Sequence, residues 1–305
     1  MKQIKLGTSE LLVPNIALGC MRLAGKDVKA AEEIIATAQK VGMNFYDHAD
    51  IYGGGESEKI FSAAVKNLGL KREDYILQSK CGIRKGFFDF SKDHILTSVD
   101  EILSRLQEDY LDVLLLHRPD TLFDPLEVNE AFKVLHKSGK VKYFGISNQN
   151  PTQIELMKKT CTVPLVANQL QFSIMHTGMI DAGFNVNMRN DAGINRDAEI
   201  LEYCRLHNMT IQAWSPFQYG FFEGVFVDND KFPELNEVMQ KIADKYSITK
   251  TGLAVAWILR HPAQMQVIIG SMTPSRIKEC AAASSIEITR EEWYEIYRAA
   301  GNILP

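Results

Sequence analysis

The chain has 305 residues, 46% of them hydrophobic, which is enough to bury a large α/β core. Its 34 basic and 38 acidic residues are interspersed and leave a net charge of −4, so no basic block marks a nucleic-acid surface. Five cysteines, odd in number, far apart and without a Cys-x-x-Cys, argue against a disulfide framework or zinc ribbon and for a reducing compartment.

MKQIKLGTSE has no apolar signal core, and Leu253 to Leu259, the longest strongly apolar run, is too short to span a bilayer. The expectation is a soluble, cytoplasmic protein that does not engage a membrane. QIKLGTSELLV then reads as a hairpin turning at Gly7-Thr8-Ser9. NIALG (15–19) is a candidate buried strand, followed by a helix with Ile34, Ile35, Ala38 and Val41 on one face and Gly42 as its stop. MNFY (43–46) is a second strand, before a helix carrying Ile60, Phe61, Ala64 and Leu68. YILQS (75–79) leads to a long stripe from Ile95 to Leu106, and DVLLL (112–116) to a helix started by Asp124-Pro125. VKYFGI (141–146) precedes Asn150-Pro151, LVAN (165–168) precedes a long segment over 171–196, and TIQAW (210–214) precedes another over 215–232. QVIIG (266–270) and a helix started by Thr273-Pro274 complete the pattern.

Eight strands alternating with helices predict a closed (β/α)8 TIM barrel with an N-terminal β-hairpin outside it. No low-complexity linker or composition shift interrupts residues 1–305, so one domain is expected. The two long segments after strands six and seven carry Met, Ile and Phe, and are expected to fold over something, the first of them shaping a substrate pocket. There is no heptad seam, and the sequence assigns no oligomeric partner.

A barrel places its chemistry at the C-terminal ends of its strands. There the sequence sets Asp47 with Tyr52 in the following loop, Lys80, His117, Ser147-Asn148, Gln169, Trp214-Ser215 and Gly270-Ser271. Each has an ordinary alternative: Asp47 and Lys80 a structural ion pair, His117 a hydrogen-bonded core histidine, Trp214 simple core. Tyr52, leading Gly53-Gly54-Gly55, is harder to explain by packing, and the conjunction is harder still. Together the four suit carbonyl reduction. A phenol with a pKa of about 10 gives up its proton reluctantly. A lysine ammonium beside it lowers that pKa, an aspartate keeps the lysine charged, and a histidine orients the carbonyl oxygen.

The motifs NFYDHADIYGGGESE, ILQSKCG, LDVLLLHRPD, GKVKYFGISN, ANQLQFS, IQAWSP and IIGSMTPSRIKE, in this order, resemble those of the aldo-keto reductase family, in its bacterial branch of uncertain substrates. The resemblance implies Tyr52 as general acid tuned by Lys80 and Asp47, with His117 orienting the carbonyl. It implies that Ser147, Asn148 and Gln169 hold the nicotinamide carboxamide, that Trp214 stacks on the ring, and that Ser215 and its loop embrace the pyrophosphate. Ser271, Arg276 and Glu279 would hold the adenosine end and its 2′-phosphate, and Cys20 and Met21 would line the inner face. The implied cofactor is NADPH/NADP+. Many family members carry a lysine where this chain has Gly270, which leaves NADH possible. The implied partner is a small-molecule carbonyl substrate. His48 stands where the family often has threonine.

Two other readings follow from the same residues. One is an NADP(H)-binding regulatory or redox-sensing protein of this fold with slow turnover, against which the intact set of four argues. The other is a metal-dependent hydrolase using Asp47, His48, Asp50 and His117. It lacks ligands, with no His-x-His after the first strand, so no metal is expected.

Overall fold

The computed structural model describes residues 1–305. Eight parallel strands close into a barrel in sequence order: β1 (Ile16–Gly19), β2 (Phe45–Asp47), β3 (Ile76–Cys81), β4 (Leu111–Leu116), β5 (Val141–Ser147), β6 (Leu165–Gln171), β7 (Thr210–Trp214) and β8 (Gln266–Ile269), with β8 pairing back onto β1. The connecting helices are α1 (Val28–Lys40), α2 (Glu56–Asn67), α3 (Lys92–Leu106), α4 (Pro125–Lys137), α5 (Pro151–Lys158), α6 (Gly178–Phe184), α7 (Ile200–Leu206), α8 (Pro233–Lys245), α9 (Lys250–Leu259), α10 (Pro274–Ala282) and α11 (Arg290–Ala299). No helix is long and apolar enough to cross a membrane. The eight expected strands are all present. β6 continues through Asn168, Gln169 and Gln171, beyond the apolar run, because polar partners inside the barrel satisfy those side chains.

The expected hairpin pairs Gln3–Lys5 with Leu12–Pro14 and lies across the N-terminal end of the barrel. Gly7 N–H donates to Thr210 Oγ1 at the start of β7, at 2.7 Å. Leu6 and Val13 pack there on Ala17, Phe45, Val113 and Val166, closing the barrel floor with apolar surface. Gly7 has φ +57°, and a Cβ there would lie 2.2 Å from the Val166 carbonyl oxygen, so this close approach requires glycine. The larger core lies between barrel and helices, where Phe132 of α4 stacks on Phe144 of β5 at 4.1 Å.

Of the three helix starts read as Asx/Thr-Pro, two cap as expected. Asp124 accepts from Leu126 N–H and Asn150 from Gln153 N–H. Thr273 makes no side-chain cap to α10, and Ser271 Oγ instead accepts from Thr273 N–H at 3.3 Å. The first N–H groups of α10 therefore stay open towards the site.

The segment 171–196 corrects one expectation. It does fold over something, but not over the site. Its helix α6 turns Phe184 onto Tyr294 and Tyr297 of α11, and Tyr297 Oη donates to Asp181 at 2.7 Å. Phe184 and the Asp181 bond hold α6 on the aromatic face of α11 at the side of the barrel, while Val186, Met188 and Ile194 stay exposed. The segment 215–232 does cover the C-terminal mouth. It carries a small hairpin, Gln218–Tyr219 with Gly224–Val225. Gln171 Nε2 donates to the Gly220 carbonyl and Ser173 Oγ to that of Gln218, so the end of β6 and the residues after it brace this cover.

Candidate active site

Asp47 ends β2, and Lys80 lies on the adjacent β3, two residues beyond Gln78, the pairing partner of Asp47. Both side chains are buried inside the barrel. Lys80 Nζ lies 2.7 Å from Asp47 Oδ2, 2.8 Å from the His48 carbonyl and 3.1 Å from Tyr52 Oη. These acceptors match the three N–H bonds of the ammonium. Burial works against the Lys80 charge, but the Asp47 carboxylate and the Tyr52 oxygen outweigh it and hold the pKa above its usual value.

Tyr52 reaches this position through an unusual turn. Gly53, Gly54 and Gly55 have φ of +59°, +64° and +91°. Three consecutive left-handed residues are ruinous for L side chains and natural for glycine. A Cβ on Gly53 would meet Ala24 at 2.3 Å, and one on Gly55 would meet Arg105 at 2.6 Å. Gly53 and Gly55 thus serve close packing and all three glycines chain reversal, where the sequence left packing as the harder explanation. Burial raises the Tyr52 pKa, and the Lys80 charge offsets this without reversing it, so the lowered pKa expected from sequence is not found in the free protein. Tyr52 is a protonated phenol at neutral pH. Because its oxygen accepts from Lys80, its own O–H is left to point elsewhere.

His117 follows β4 and packs edge-on against Tyr52, with ring centres 6.1 Å apart. Burial, then the charges of Lys80 and Arg118, push its pKa well below the usual range, so it is a neutral imidazole at pH 7. The bland reading of a hydrogen-bonded core histidine does not apply, since His117 Nδ1 has no partner and the ring lines the cavity.

Beneath these groups lies a feature missed from the sequence, a chain of buried glutamine amides. Gln78 Nε2 donates to Asp47 Oδ1 at 2.6 Å, and Gln169 Nε2 donates to the same oxygen at 3.1 Å. Gln212 and Gln78 exchange amide bonds at 2.9 and 3.0 Å, Gln212 donates to Gln266, and Gln266 donates to the Pro14 carbonyl. The signal was there: a glutamine inside an otherwise apolar strand must find a partner.

A cavity of about 1100 Å³ opens over this floor. Asp47, Tyr52, His117, Ser147, Asn148, Gln169, Trp214 and Ser215 line its deep end, with Met21, Ser271, Arg276 and Glu279 towards α10. Cys20 does not line it. That side chain is fully buried against the helices, with Sγ 3.5 Å from the Leu18 carbonyl, so the expected contact falls to Met21 alone. Asn148 and Ser215 follow β5 and β7 with φ of +56° and +53°, left-handed conformations that end each strand in a turn at the cavity. Trp214 Nε1 donates to Asn148 Oδ1 at 3.2 Å, Asn148 donates to Ser147 Oγ at 2.7 Å, and Ser147 donates to the Gln169 carbonyl at 3.0 Å. The cover 215–232 is tied across the cavity by an ion pair of Asp228 with Lys250 of α9. Arg22, also missed, donates to the Gly270 carbonyl at 2.9 Å. A Cβ on Gly270 would lie 2.7 Å from its guanidinium, so a cation occupies the space that a side chain at 270 would take.

The Aldo/keto reductase family model matches residues 15–300. The oxidoreductase YdhF of Escherichia coli (strain K12) is 34% identical over 269 residues, which cover 85% of this chain and 84% of that protein. A 6-dehydroglucose reductase of Agrobacterium fabrum is 32% identical over 270 residues, with 85% and 84% covered. A crystal structure of the thermostable aldo-keto reductase Tm1743 in complex with the inhibitor epalrestat shares the fold, with a TM-score of 0.80 at 24% identity, covering 98% of this chain and 100% of that one. A family model that runs from the first barrel strand to the last helix, with relatives above 30% identity over most of their length, assigns the chain: it is an oxidoreductase and belongs to the aldo/keto reductase family.

Proposed function

We propose that this protein reduces an aldehyde or ketone to an alcohol with NADPH, the proton coming from Tyr52. The observation that carries the reading is the direction of the Lys80 hydrogen bond. Lys80 donates to Tyr52 Oη, so the phenol O–H is aimed away from the ammonium. A carbonyl oxygen in the cavity beside Tyr52 and His117 is the acceptor within reach. When bound there, a reduced nicotinamide would supply the hydride for the carbonyl carbon. As the C=O bond becomes C–O, the oxygen takes the Tyr52 proton, and the Lys80 charge stabilises the phenolate left behind. Asp47, fixed by Lys80 and two glutamine amides, keeps the ammonium charged and in place. The neutral His117 orients the substrate oxygen without competing as an acid.

The same cavity fits the cofactor. Ser147, Asn148 and Gln169 form the carboxamide site; Gln169 Nε2 is committed to Asp47 and Gln212, leaving its Oε1 to accept. Trp214 is the stacking surface, and Ser215 begins the cover over the pyrophosphate. The open N-terminus of α10 with Ser271 and Arg276 suits the adenosine phosphate, and Glu279 lies further along towards the adenosine. Arg22 supplies a cation beside Gly270, where the family often has lysine, and this favours NADPH over NADH.

The test mixes purified protein with NADPH or NADH and an activated aromatic aldehyde, and follows the loss of reduced-nicotinamide absorbance. Wild type should consume NADPH faster than NADH. Tyr52→Phe should lose at least about a hundredfold in kcat while binding cofactor normally. Residual turnover within tenfold of wild type would contradict the role of Tyr52. Tight NADPH binding without turnover would move the assignment to the regulatory reading.

A further inference from the structure

The proposed chemistry uses the floor of the cavity and the cofactor uses the arm towards α10. What remains is the wall beside Tyr52, formed by Ile51, Ile83, Phe222 and Arg118 together with Trp214, which it shares with the proposed nicotinamide site. Four of these are apolar or aromatic and one carries a permanent charge.

Arg118 leaves β4 directly after His117 and is half-buried. Its guanidinium carbon lies 5.6 Å from the centre of the Trp214 ring. That ring is fixed in turn by its bond to Asn148 and by Phe222, stacked at 6.2 Å. The other half-buried arginines have partners within the chain: Arg72 pairs with Asp112 and Glu108, Arg105 with Glu58, and Arg260, which has no carboxylate, donates Nε to the Ile288 carbonyl at 2.7 Å. Arg118 makes no ion pair or hydrogen bond within the chain. The acids that line the cavity already have partners. Asp47 is held by Lys80, Gln78 and Gln169, Asp228 by Lys250, and Glu279 by the Thr249 hydroxyl; nearby Asp120 is held by the backbone N–H groups of Phe90 and Leu122.

A guanidinium taken partly out of water loses hydration, and burial here works against its charge. The aromatic face of Trp214 returns part of that, and the guanidinium's fork of N–H donors makes no bond within the chain. A neutral wall residue would shape an apolar pocket equally well without this cost. An anion entering the cavity would offset the lost hydration, and a carboxylate matches the fork with two parallel bonds.

We propose that Arg118 is a carboxylate subsite, so that the substrates are oxo acids: flat or apolar aldehydes or ketones whose acid end docks on Arg118 while the carbonyl oxygen faces Tyr52 and His117. This rests on the reductase reading and sharpens it. The chemistry of the step is unchanged; the carboxylate takes part only in binding.

The experiment compares para-formylbenzoate with its methyl ester, an uncharged analogue of the same shape, on wild type, Arg118→Gln and Arg118→Lys. Wild type should favour the acid by about tenfold or more in kcat/KM, chiefly through KM, since one charge-assisted bidentate contact is gained. The preference should shrink at high salt and fall to within about twofold of unity in Arg118→Gln. Arg118→Lys should restore part of it, because a lysine keeps the charge and loses the fork. The same comparison made with the product pair, para-(hydroxymethyl)benzoate and its methyl ester, titrated into NADPH-loaded protein, needs no turnover. Absence of turnover for both aldehydes would defeat the reductase reading, and the binding ratio would still decide Arg118. Equal affinity of acid and ester in wild type, or a preference that survives Arg118→Gln, overturns the subsite.

Discussion

At the scale of single residues, the site depends on which atoms are already engaged. Asp47 Oδ2 faces Lys80 and Oδ1 faces two amides, so the carboxylate has no freedom to swing away from the ammonium. Gln78 gives the shorter amide bond, at 2.6 Å, and is fully buried. Gln78→Leu keeps volume and removes the donor. Losing a hydrogen bond to a buried ionised group costs about 1.5–3 kcal/mol. Because the loss falls on the groups that hold Tyr52, we expect kcat to drop about tenfold with little change in NADPH affinity. Unchanged kcat in a stably folded Gln78→Leu protein would reduce the glutamines to barrel filling. Asp47, Tyr52, Lys80 and His117 were legible from sequence because each sits at a strand end or in the loop that follows one, where side chains of that type have little structural reason to gather. Cys20 sits at a strand end too and points the other way. One residue past the end of β1, the side chain's direction is set by the local turn, and periodicity no longer predicts it.

At the scale of elements, apolar runs and proline-marked starts located the strands and several helices to within a few residues, because buried parallel strands have few other places to go. What sequence could not settle was the destination of long connections. The segment 171–196 reads as a pocket cover by length and composition, yet the aromatic face of α11 captures it. That helix is locked in an unusual way. Trp293 stacks on Trp257 of α9 at 4.6 Å with the rings 6° from parallel, and each indole N–H donates to the other's backbone carbonyl at 3.0 Å. Trp293→Phe retains an aromatic ring and removes one of the two bonds, leaving the Trp257 carbonyl without it. A loss of about 1–3 kcal/mol is expected, read as a lower urea midpoint with an unchanged slope. Activity of the folded fraction should not move, since neither tryptophan lines the cavity. A fall in kcat without a fall in stability would mean that α11 communicates with the site.

At the scale of the whole molecule, the loop after β2 couples the site to stability through two buried groups that the proposed chemistry does not use. His48 is completely buried against Phe61, and neither ring nitrogen has a partner. Burial, aided by the Lys80 charge, lowers its pKa to about 3. The unfolded chain, with an ordinary value of about 6.5, therefore binds the extra proton between those limits, so stability falls as pH drops through that window. Asp50 works in the opposite sense. Burial, and then repulsion from Glu58, raises its pKa to about 7. Between about pH 4 and 7 the folded state is the one that holds the extra proton, so stability declines as pH rises through that range and levels off above it. Two variants separate these effects. His48→Phe forfeits no hydrogen bond, and its acid unfolding midpoint should move to lower pH than that of wild type. Asp50→Asn should gain stability over wild type progressively from pH 5 to 8, because an amide cannot ionise. Both are measured by urea unfolding across pH. A constant offset between Asp50→Asn and wild type over that range would mean that Asp50 is already ionised in the folded protein. Below about pH 7 the proton on Asp50 relieves both the cost of burying a carboxylate and its repulsion from Glu58, and the nearby Lys80 charge offsets these only in part.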